Sequence, residues 1–409
     1  MFKFAHLADC HLGAFRDQVL RELNLKAFLS ALDKCIAEGV DFILIAGDML
    51  DNNLPDSRIL NSAVKKLKEV HDKGIAVYVI YGSHDYSPNK TSMIDILHSA
   101  GLFRKVGGDD IENPELNFIT DKKTGAKILG MSAKRLGLEA KQVNLMDFSR
   151  VESESGFKIF MFHSAVAECN DQSASISGAL SASRLPKGFS YYASGHVHSK
   201  FFGEKCSRLI GFPGPTFGSD YRDLESASGG ISHGFFIVEF DSSSVKSHKF
   251  VEAESPEVIF KEYDASGKSA AKAETEIESF ASSIDAKNKI ILLRIFGELA
   301  TGKPGDMNFS KIKDIISQKG AVSVYINRNA LESKEQAEVK VSGESREEIE
   351  NNVFGSCLEN FSSDNSEIME KSHQMSLDLL RLLKEEQKGG TKSDYEKKVV
   401  ESSMKLLGV

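Results

Sequence analysis

Five apolar runs in this chain each end on His or Asp, and that regularity constrains the fold more than any other feature. FKFAHLA runs into Asp9 and His11, and DFILIAG into Asp48. IAVYVIYG runs into Ser83, His84 and Asp85, FKIFMF into His163, and FSYYASG into His196 and His198. Continuous apolar runs this short, bounded by turn residues, read as buried strands. Helical spacing separates the first three. Leu25, Phe28, Leu29, Leu32 and Ile36 stripe residues 21–38, with Gly39 as a stop. Ile59, Leu60, Ala63, Val64 and Leu67 stripe 56–73, with Asp56 placed to cap. This βαβαβ rhythm predicts a largely parallel sheet covered on both faces. From 117 to 240 strands dominate, so residues 1–245 are expected to form one α/β domain with two sheets.

Open α/β sheets bind ligands beyond the C-terminal ends of their strands. The i, i+2 spacing of Asp9/His11 and His196/His198 puts each pair on one side of an extended backbone, with Cys10 and Val197 facing away. Taken singly, any of these histidines reads more simply as structural or exposed, and Asp48 or Asp85 as the start of a turn. Jointly, the strand ends would have to imitate a ligand set independently. Two carboxylates and four imidazoles suit borderline divalent ions such as Mn²⁺, Fe²⁺ or Zn²⁺. The set is too large for one tetrahedral ion and fits a pair sharing a bridging carboxylate. Two metals about 3.5–4 Å apart are a clamp for phosphoester hydrolysis, activating water and stabilising charge on the phosphate oxygens.

The rest of the chain sets bounds on this. At 409 residues, with 41% apolar and 27% charged residues, two or three globular domains are expected. A small α/β unit is expected at 255–328 and a helical tail at 340–409, where KGGTKS separates two apolar-striped segments. No run approaches the ~18–20 apolar residues of a membrane span. The start, MFKFAHLAD, carries Lys3 and Asp9 and does not read as a signal peptide. Five scattered cysteines without a CxxC pair point to free thiols in a reducing cytoplasm. The net charge of −8 weighs only weakly against a nucleic-acid partner, because metal-binding carboxylates inflate the negative count and a local patch can outvote the sum. Arg16, Tyr86, Lys90, Lys134, Arg135, Lys200, Arg208 and Arg222 lie in loops near the motifs and are candidate DNA contacts, although loop cations are commonly just solvated. PGPTFGSDYR (213–222) is expected to form a loop over the site.

The succession D-x-H, G-D, G-[N]-H-D, H and G-H-x-H over residues 9–198 resembles the signature of the calcineurin-like metallophosphoesterases. Within that superfamily, LADCHLG at 7–13 and YGSHDYSP at 81–88 resemble the archaeal and bacterial double-strand-break repair nucleases (SbcD-like). GDMLDNN at 47–53 lacks the Arg of the protein phosphatases' GDxVDRG, which favours a diester substrate. The resemblance implies a two-sheet sandwich flanked by helices, a capping domain at 255–328 that helps bind DNA, and a segment at 340–409 that docks on an SMC-like coiled-coil ATPase. It also implies a homodimer through the helices at 21–38 and 56–73 and a nucleoid-associated protein of the cytoplasm. By motif, one ion, expected to be Mn²⁺, takes Asp9, His11, Asp48 and His198. A second takes Asp48, His163 and His196. The family's Asn ligand falls on Ser83, a weaker donor, so that ligation there is open. His84 becomes the catalytic group that protonates the leaving 3′-oxygen, with Asp85 orienting it. The implied activity is endo- and exonucleolytic. A phosphoesterase acting on small nucleotides or phosphodiesters, or a DNA-end scaffold with a weakened metal site, are the alternatives.

Overall fold

Successive residues of a strand face opposite sides, and in this protein both sides are apolar, so the strands must be covered twice. The computed structural model describes residues 1–86, 91–107, 116–133, 139–334, 345–358, 366–384 and 392–407. Its elements begin as β1 (Phe2–Leu7), α1 (Gln18–Ala37), β2 (Phe42–Ala46), α2 (Ser57–Asp72), β3 (Ala76–Ile80), α3 (Met93–Ser99) and β4 (Arg104–Lys105). The helix starts are set by carboxylates that accept otherwise unpaired N–H groups: Asp17 from Leu20, and Asp56 from Arg58 as expected. There follow β5 (Ile119–Thr120), β6 (Lys127–Met131), α4 (Glu139–Leu145), α5 (Ser149–Ser153), β7 (Lys158–His163), α6 (Asp171–Ser175), β8 (Tyr191–Gly195), β9 (Phe201–Lys205), β10 (Arg208–Phe212), α7 (Tyr221–Ser228), β11 (Gly234–Phe240) and β12 (Val245–Glu252).

These strands form two six-stranded sheets, ordered β12-β11-β1-β2-β3-β4 and β5-β6-β7-β8-β10-β9. The strands β1 to β4 run parallel, as do β6, β7, β8 and β10; β11 and β12 extend the first sheet beyond β1 in antiparallel pairing, and β5 and β9 pair antiparallel at the two edges of the second. The period of two places the core. Phe4, Phe42, Leu44, Tyr78, Ile80, Ile159, Met161, Tyr191 and Ala193 meet between the sheets. The alternate residues Ala5, Ile43, Ile45, Val77 and Val79 pack under α1 and α2. Phe160, Phe162 and Tyr192 face outward from the second sheet into a third cluster. The two-sheet α/β sandwich expected for the N-terminal region is therefore present. The edge strands β9 and β12 carry no continuous apolar run, since one of their faces meets solvent, and sequence patterning passes over them.

Two contact units are distinguished. The first comprises Met1–Glu262, Phe280–Arg294 and Phe309–Asn327, and the second Tyr263–Ser279, Ile295–Asn308 and Arg328–Val409. The remaining elements are β13 (Val258–Asp264), α8 (Ala270–Ser283), β14 (Ile290–Leu299), α9 (Phe309–Gln318) and β15 (Ser323–Ser333), then helices α10 (Arg346–Leu358), α11 (Ser366–Lys384) and α12 (Lys392–Leu407). Strands β13, β14 and β15 form a three-stranded sheet in that order. Leu383, Val400 and Met404 of the C-terminal helices are 62%, 57% and 47% exposed. Most of the KGGTKS linker lies outside the described residues. No described helix is long and apolar enough to cross a membrane.

Candidate metal centre

The loops leaving β1 and β2 run side by side past the sheet edge. Asp9 N–H donates to Gly47 O at 3.1 Å, His11 N–H to Asp48 O at 2.9 Å, and Leu12 N–H to Met49 O at 3.0 Å. The turn from strand to loop is sharp enough to force Asp9, His11, Asp48 and His196 to positive φ, at 50°, 43°, 49° and 81°. Non-glycine residues avoid this region, at a cost of about 1–2 kcal/mol each, and retain it only where surrounding structure enforces it. Two glycines give the close approach that follows. A Cβ on Gly82 would lie 2.2 Å from both Asp48 N and Asp48 Oδ1, and one on Gly47 would lie 2.3 Å from His163 Nδ1.

The donors converge as three overlapping groups: Asp9, His11 and His198; Asp9, Asp48 and His163; and His11, Asp48 and His84. Within each, the ligating atoms lie within 4.8 Å of one another. His163 Nε2 stands 3.1 Å from Asp48 Oδ2 and 4.0 Å from Asp9 Oδ1, and His11 Nε2 stands 3.8 Å from Asp48 Oδ2. His196 gives its N–H to Asp9 Oδ1 at 2.8 Å, and its ring lies 5.3 Å from that of His163. Asp9, His11 and Asp48 each belong to two of these groups.

The imidazoles are aimed by partners on their other nitrogen. A carbonyl oxygen only accepts, so the 2.8 Å contact of His163 Nδ1 with Ala46 O puts the proton on Nδ1 and turns the Nε2 lone pair toward the carboxylates. His198 Nδ1 lies 2.9 Å from each oxygen of Asp223. Asp9 Oδ2, both ring nitrogens of His11 and His163 Nε2 are buried without a hydrogen-bond partner. Orphaned buried donors and acceptors are rare, and their gathering at Asp9, His11 and His163 fits a bound cation, with His11 turning Nε2 toward Asp48 and Nδ1 toward Asp51. The electrostatics agree. Burial disfavours charge on His163, but Asp48 and Asp9 beside it outweigh burial and push its pKa up to about 10. Burial also pushes the Asp48 carboxyl up, and His163 and His11 overcome this and hold it below the usual carboxylate range. The two buried carboxylates thus draw positive charge to the site, held as a proton on His163 or supplied by a metal ion that replaces it.

The GSHD stretch divides by direction. Ser83 Oγ donates to Asp48 Oδ2 at 3.3 Å, so the serine is at the site but engages the carboxylate. His84 is exposed, with its N–H on Asp48 Oδ1 at 2.7 Å and its Nδ1 on the backbone oxygen of Asp51 at 2.8 Å. Asp85 does not orient it. That expectation is corrected: Asp85 is fully buried and accepts from the N–H groups of Gly82, Leu50 and Met49 at 2.9, 3.0 and 3.3 Å. Burial first, and then Asp48, raise its pKa to about 6. Its role is to tie the β2 and β3 loops together.

The candidate DNA contacts scatter. Arg208 is corrected as well. It is 6% exposed, and its guanidinium donates to the carbonyls of Leu185, Cys206 and Ser183, which makes it a buried brace. Arg222 is exposed and forked onto Asp220, Arg16 is exposed, and Lys200 lies over the Phe250 ring. The Tyr86 ring rests 5.8 Å from that of Tyr81. Lys90, Lys134 and Arg135 lie outside the described residues. Sequence patterning missed Asp51, which fixes His84 through its carbonyl and approaches His11 Nδ1 at 3.5 Å, and Asp223. Only the acidic residue three places after Asp48 hinted at the former.

A family model described as calcineurin-like phosphoesterase matches residues 2–200. Among curated relatives, proteins named "DNA double-strand break repair protein Mre11" are similar to this chain. The one from Archaeoglobus fulgidus is 29% identical over 258 residues, covering 58% of this chain and 57% of the relative. That from Methanopyrus kandleri is 29% identical over 266 residues, covering 62% and 57%. That from Saccharolobus solfataricus is 30% identical over 205 residues, covering 49% and 50%. The matched part of the chain thus spans between half and three fifths of these relatives' lengths.

Proposed function

With residues 2–200 a calcineurin-like phosphoesterase domain, we propose that the protein is a divalent-metal-dependent DNA phosphodiesterase of double-strand-break repair, cutting as both endo- and exonuclease. The observation that carries this is the cluster of buried ligand atoms of Asp9, His11 and His163 that have no hydrogen-bond partner, brought together from the ends of two strands, β1 and β7. Asp9, His11, Asp48 and His198 would hold one cation, and Asp48, His163 and His196 the second, with Asp48 common to both and Ser83 at the margin. Mn²⁺ suits this mixed oxygen and nitrogen set. When bound, such a pair supplies charge neutralisation at the phosphate and an activated nucleophile.

The chain's own residues do the rest. Asp51 O holds the His84 proton on Nδ1, leaving Nε2 as the nitrogen that gains or gives a proton. We assign His84 to protonating the leaving 3′-oxygen, a contribution of roughly 10²–10⁴-fold. Asp85 holds the loop that presents it. Absence of the phosphatases' Arg after Asp48, where Asn52 and Asn53 stand, supports a diester over a monoester.

The motif resemblance to the repair nucleases supports the remaining assignments. In this proposal residues 255–328 serve as a capping domain at DNA, and the helices of 340–409 dock on an SMC-like ATPase, both carried over from the motif resemblance. The exposed Leu383, Val400 and Met404 support an apolar partner for those helices. We extend the proposal to a homodimer through α1 and α2 and a place at the nucleoid, on the motif resemblance alone.

The test is cleavage of linear duplex and single-stranded DNA with Mn²⁺, set beside hydrolysis of a small phosphodiester, by the full chain and by Asp48→Asn. DNA cleavage lost in Asp48→Asn supports the proposal. Small-diester hydrolysis without DNA cleavage replaces it with a nucleotide phosphodiesterase. DNA binding without either activity replaces it with an end-binding scaffold.

A further inference from the structure

Helix α7 carries different partners on opposite faces. Residues i and i+4 share a face and residue i+2 points the other way. In α7 these are Tyr221, Glu225 and, between them, Asp223. Asp223 faces His198, with both carboxylate oxygens 2.9 Å from Nδ1. Its Oδ2 also accepts from Ser219 N–H at 2.7 Å and Ser219 Oγ at 3.1 Å. The preceding turn is close-fitting, because a Cβ on Gly218, at φ +133°, would lie 2.8 Å from Asp223 Cβ.

The other face is clamped. Glu225 pairs with Arg294, which also reaches Glu262 at 3.1 Å and lies 5.0 Å from the centre of the Phe260 ring. The Tyr221 ring stacks on that of Tyr325 with centroids 3.5 Å apart and planes 7° from parallel. Leu224 is buried with Leu20, Ala27, Phe217, Ile290 and Leu292. All of these residues belong to the first contact unit. A helix of eight residues is about 12 Å long and bends little over one turn. A displacement of Tyr221 and Glu225 therefore reaches Asp223.

We propose that α7 is a lever through which the strand segments around Glu262, Arg294 and Tyr325 set the orientation of the His198 imidazole, with Asp223 as the positioning residue. The proposal rests on the assignment of His198 as a cation ligand. Carboxylate partners of metal-binding histidines tune affinity about 10–100-fold, so whatever shifts Asp223 shifts the affinity of the centre. Binding of a macromolecule against β13–β15 would then be felt at the cation site through this helix.

The experiment is calorimetric titration of Mn²⁺ alone into the full chain and its Asp223→Asn, Arg294→Gln, double and Asp48→Asn variants. With it goes the Nδ1–H resonance of His198 in ¹⁵N-histidine-labelled protein before metal is added. Asp223→Asn is expected to weaken Mn²⁺ binding about 10–100-fold. Arg294→Gln should weaken it several-fold and move the His198 resonance, and the double variant should be no weaker than Asp223→Asn. Wild-type affinity in Asp223→Asn overturns the positioning role. Wild-type affinity and an unmoved resonance in Arg294→Gln overturn the lever, as do effects that simply multiply in the double variant. The Arg294→Gln measurements stand even if Asp223→Asn does not fold. Wild-type affinity in Asp48→Asn instead removes the metal centre itself, which separates the two failures.

Discussion

His84 and Asp51 meet through a ring nitrogen and a backbone oxygen 2.8 Å apart, and this contact does what was expected of the neighbouring carboxylate of Asp85. A backbone partner fixes the tautomer, so the ring keeps its Nε2 for proton transfer.

Replacing that imidazole tests its assignment. His84→Ala should lower Mn²⁺-dependent DNA cleavage by roughly 10²–10⁴-fold. Its Mn²⁺ affinity should stay within a few-fold of wild type, since only its main-chain N–H binds Asp48. Cleavage at the wild-type rate would end the role given to this residue.

The serine at position 83 sets how well the second ion is held. Its hydroxyl donates to Asp48 Oδ2, whereas an Asn side chain offers a carbonyl acceptor to a cation. Ser83→Asn should tighten binding of the weaker Mn²⁺ by roughly tenfold, about 1.4 kcal/mol, in a two-site calorimetric titration. Unchanged binding would mean the hydroxyl does not limit the site.

Gly82 leaves no room for a side chain. In Gly82→Ala the methyl would press on Asp48 N and Oδ1 from 2.2 Å, and one of those atoms is backbone. A stability loss of about 1–3 kcal/mol by urea unfolding is expected, with Mn²⁺ binding weakened at least tenfold. A variant as stable as the parent would contradict this packing.

Arg208→Met separates a brace from a DNA contact. The guanidinium satisfies three backbone carbonyls in the interior. Its loss should cost about 2–4 kcal/mol of stability and leave DNA affinity and its salt dependence unchanged. A salt slope reduced by about one with stability intact would restore the role first considered for it.

Acid stability should depend on His6. It is fully buried between the sheets, with Nδ1 2.9 Å from Tyr191 Oη, and burial lowers its pKa from 6.5 to about 3. The folded ring stays neutral while the unfolded ring takes up a proton below pH 6.5. The unfolded chain then binds more protons, and stability falls as pH drops through that window. From pH 6.5 to 5 this one group should remove about 1.5–2 kcal/mol, and urea unfolding of His6→Gln should show a flatter pH dependence over that range.

The pattern of what was legible follows from distance along the chain. Apolar runs announce strands because burial on both faces leaves no polar positions, and a His or Asp after such a run can only lie at the sheet edge. Direction within a loop carries no such mark. His84 and Asp85 are adjacent, yet one is exposed and the other has no exposure at all. Arg208 opens a strand whose neighbours cover it, which a local window of sequence does not reveal. Asp223 lies 25 residues beyond the histidine it holds, just past a stretch that reads as loop by its Pro and Gly, and only the folded chain brings the two together.

The left-handed backbone of Asp9, His11, Asp48 and His196 has one more consequence. At about 1–2 kcal/mol each, these four conformations amount to several kcal/mol of frustration that the sandwich interior restrains. The working edge is therefore wound like a spring against the core. Any softening of that core, by heat, denaturant or a cavity far from the edge, lets the loops relax first. Capacity to capture the ion should fade in a gentle thermal ramp before the sheets melt.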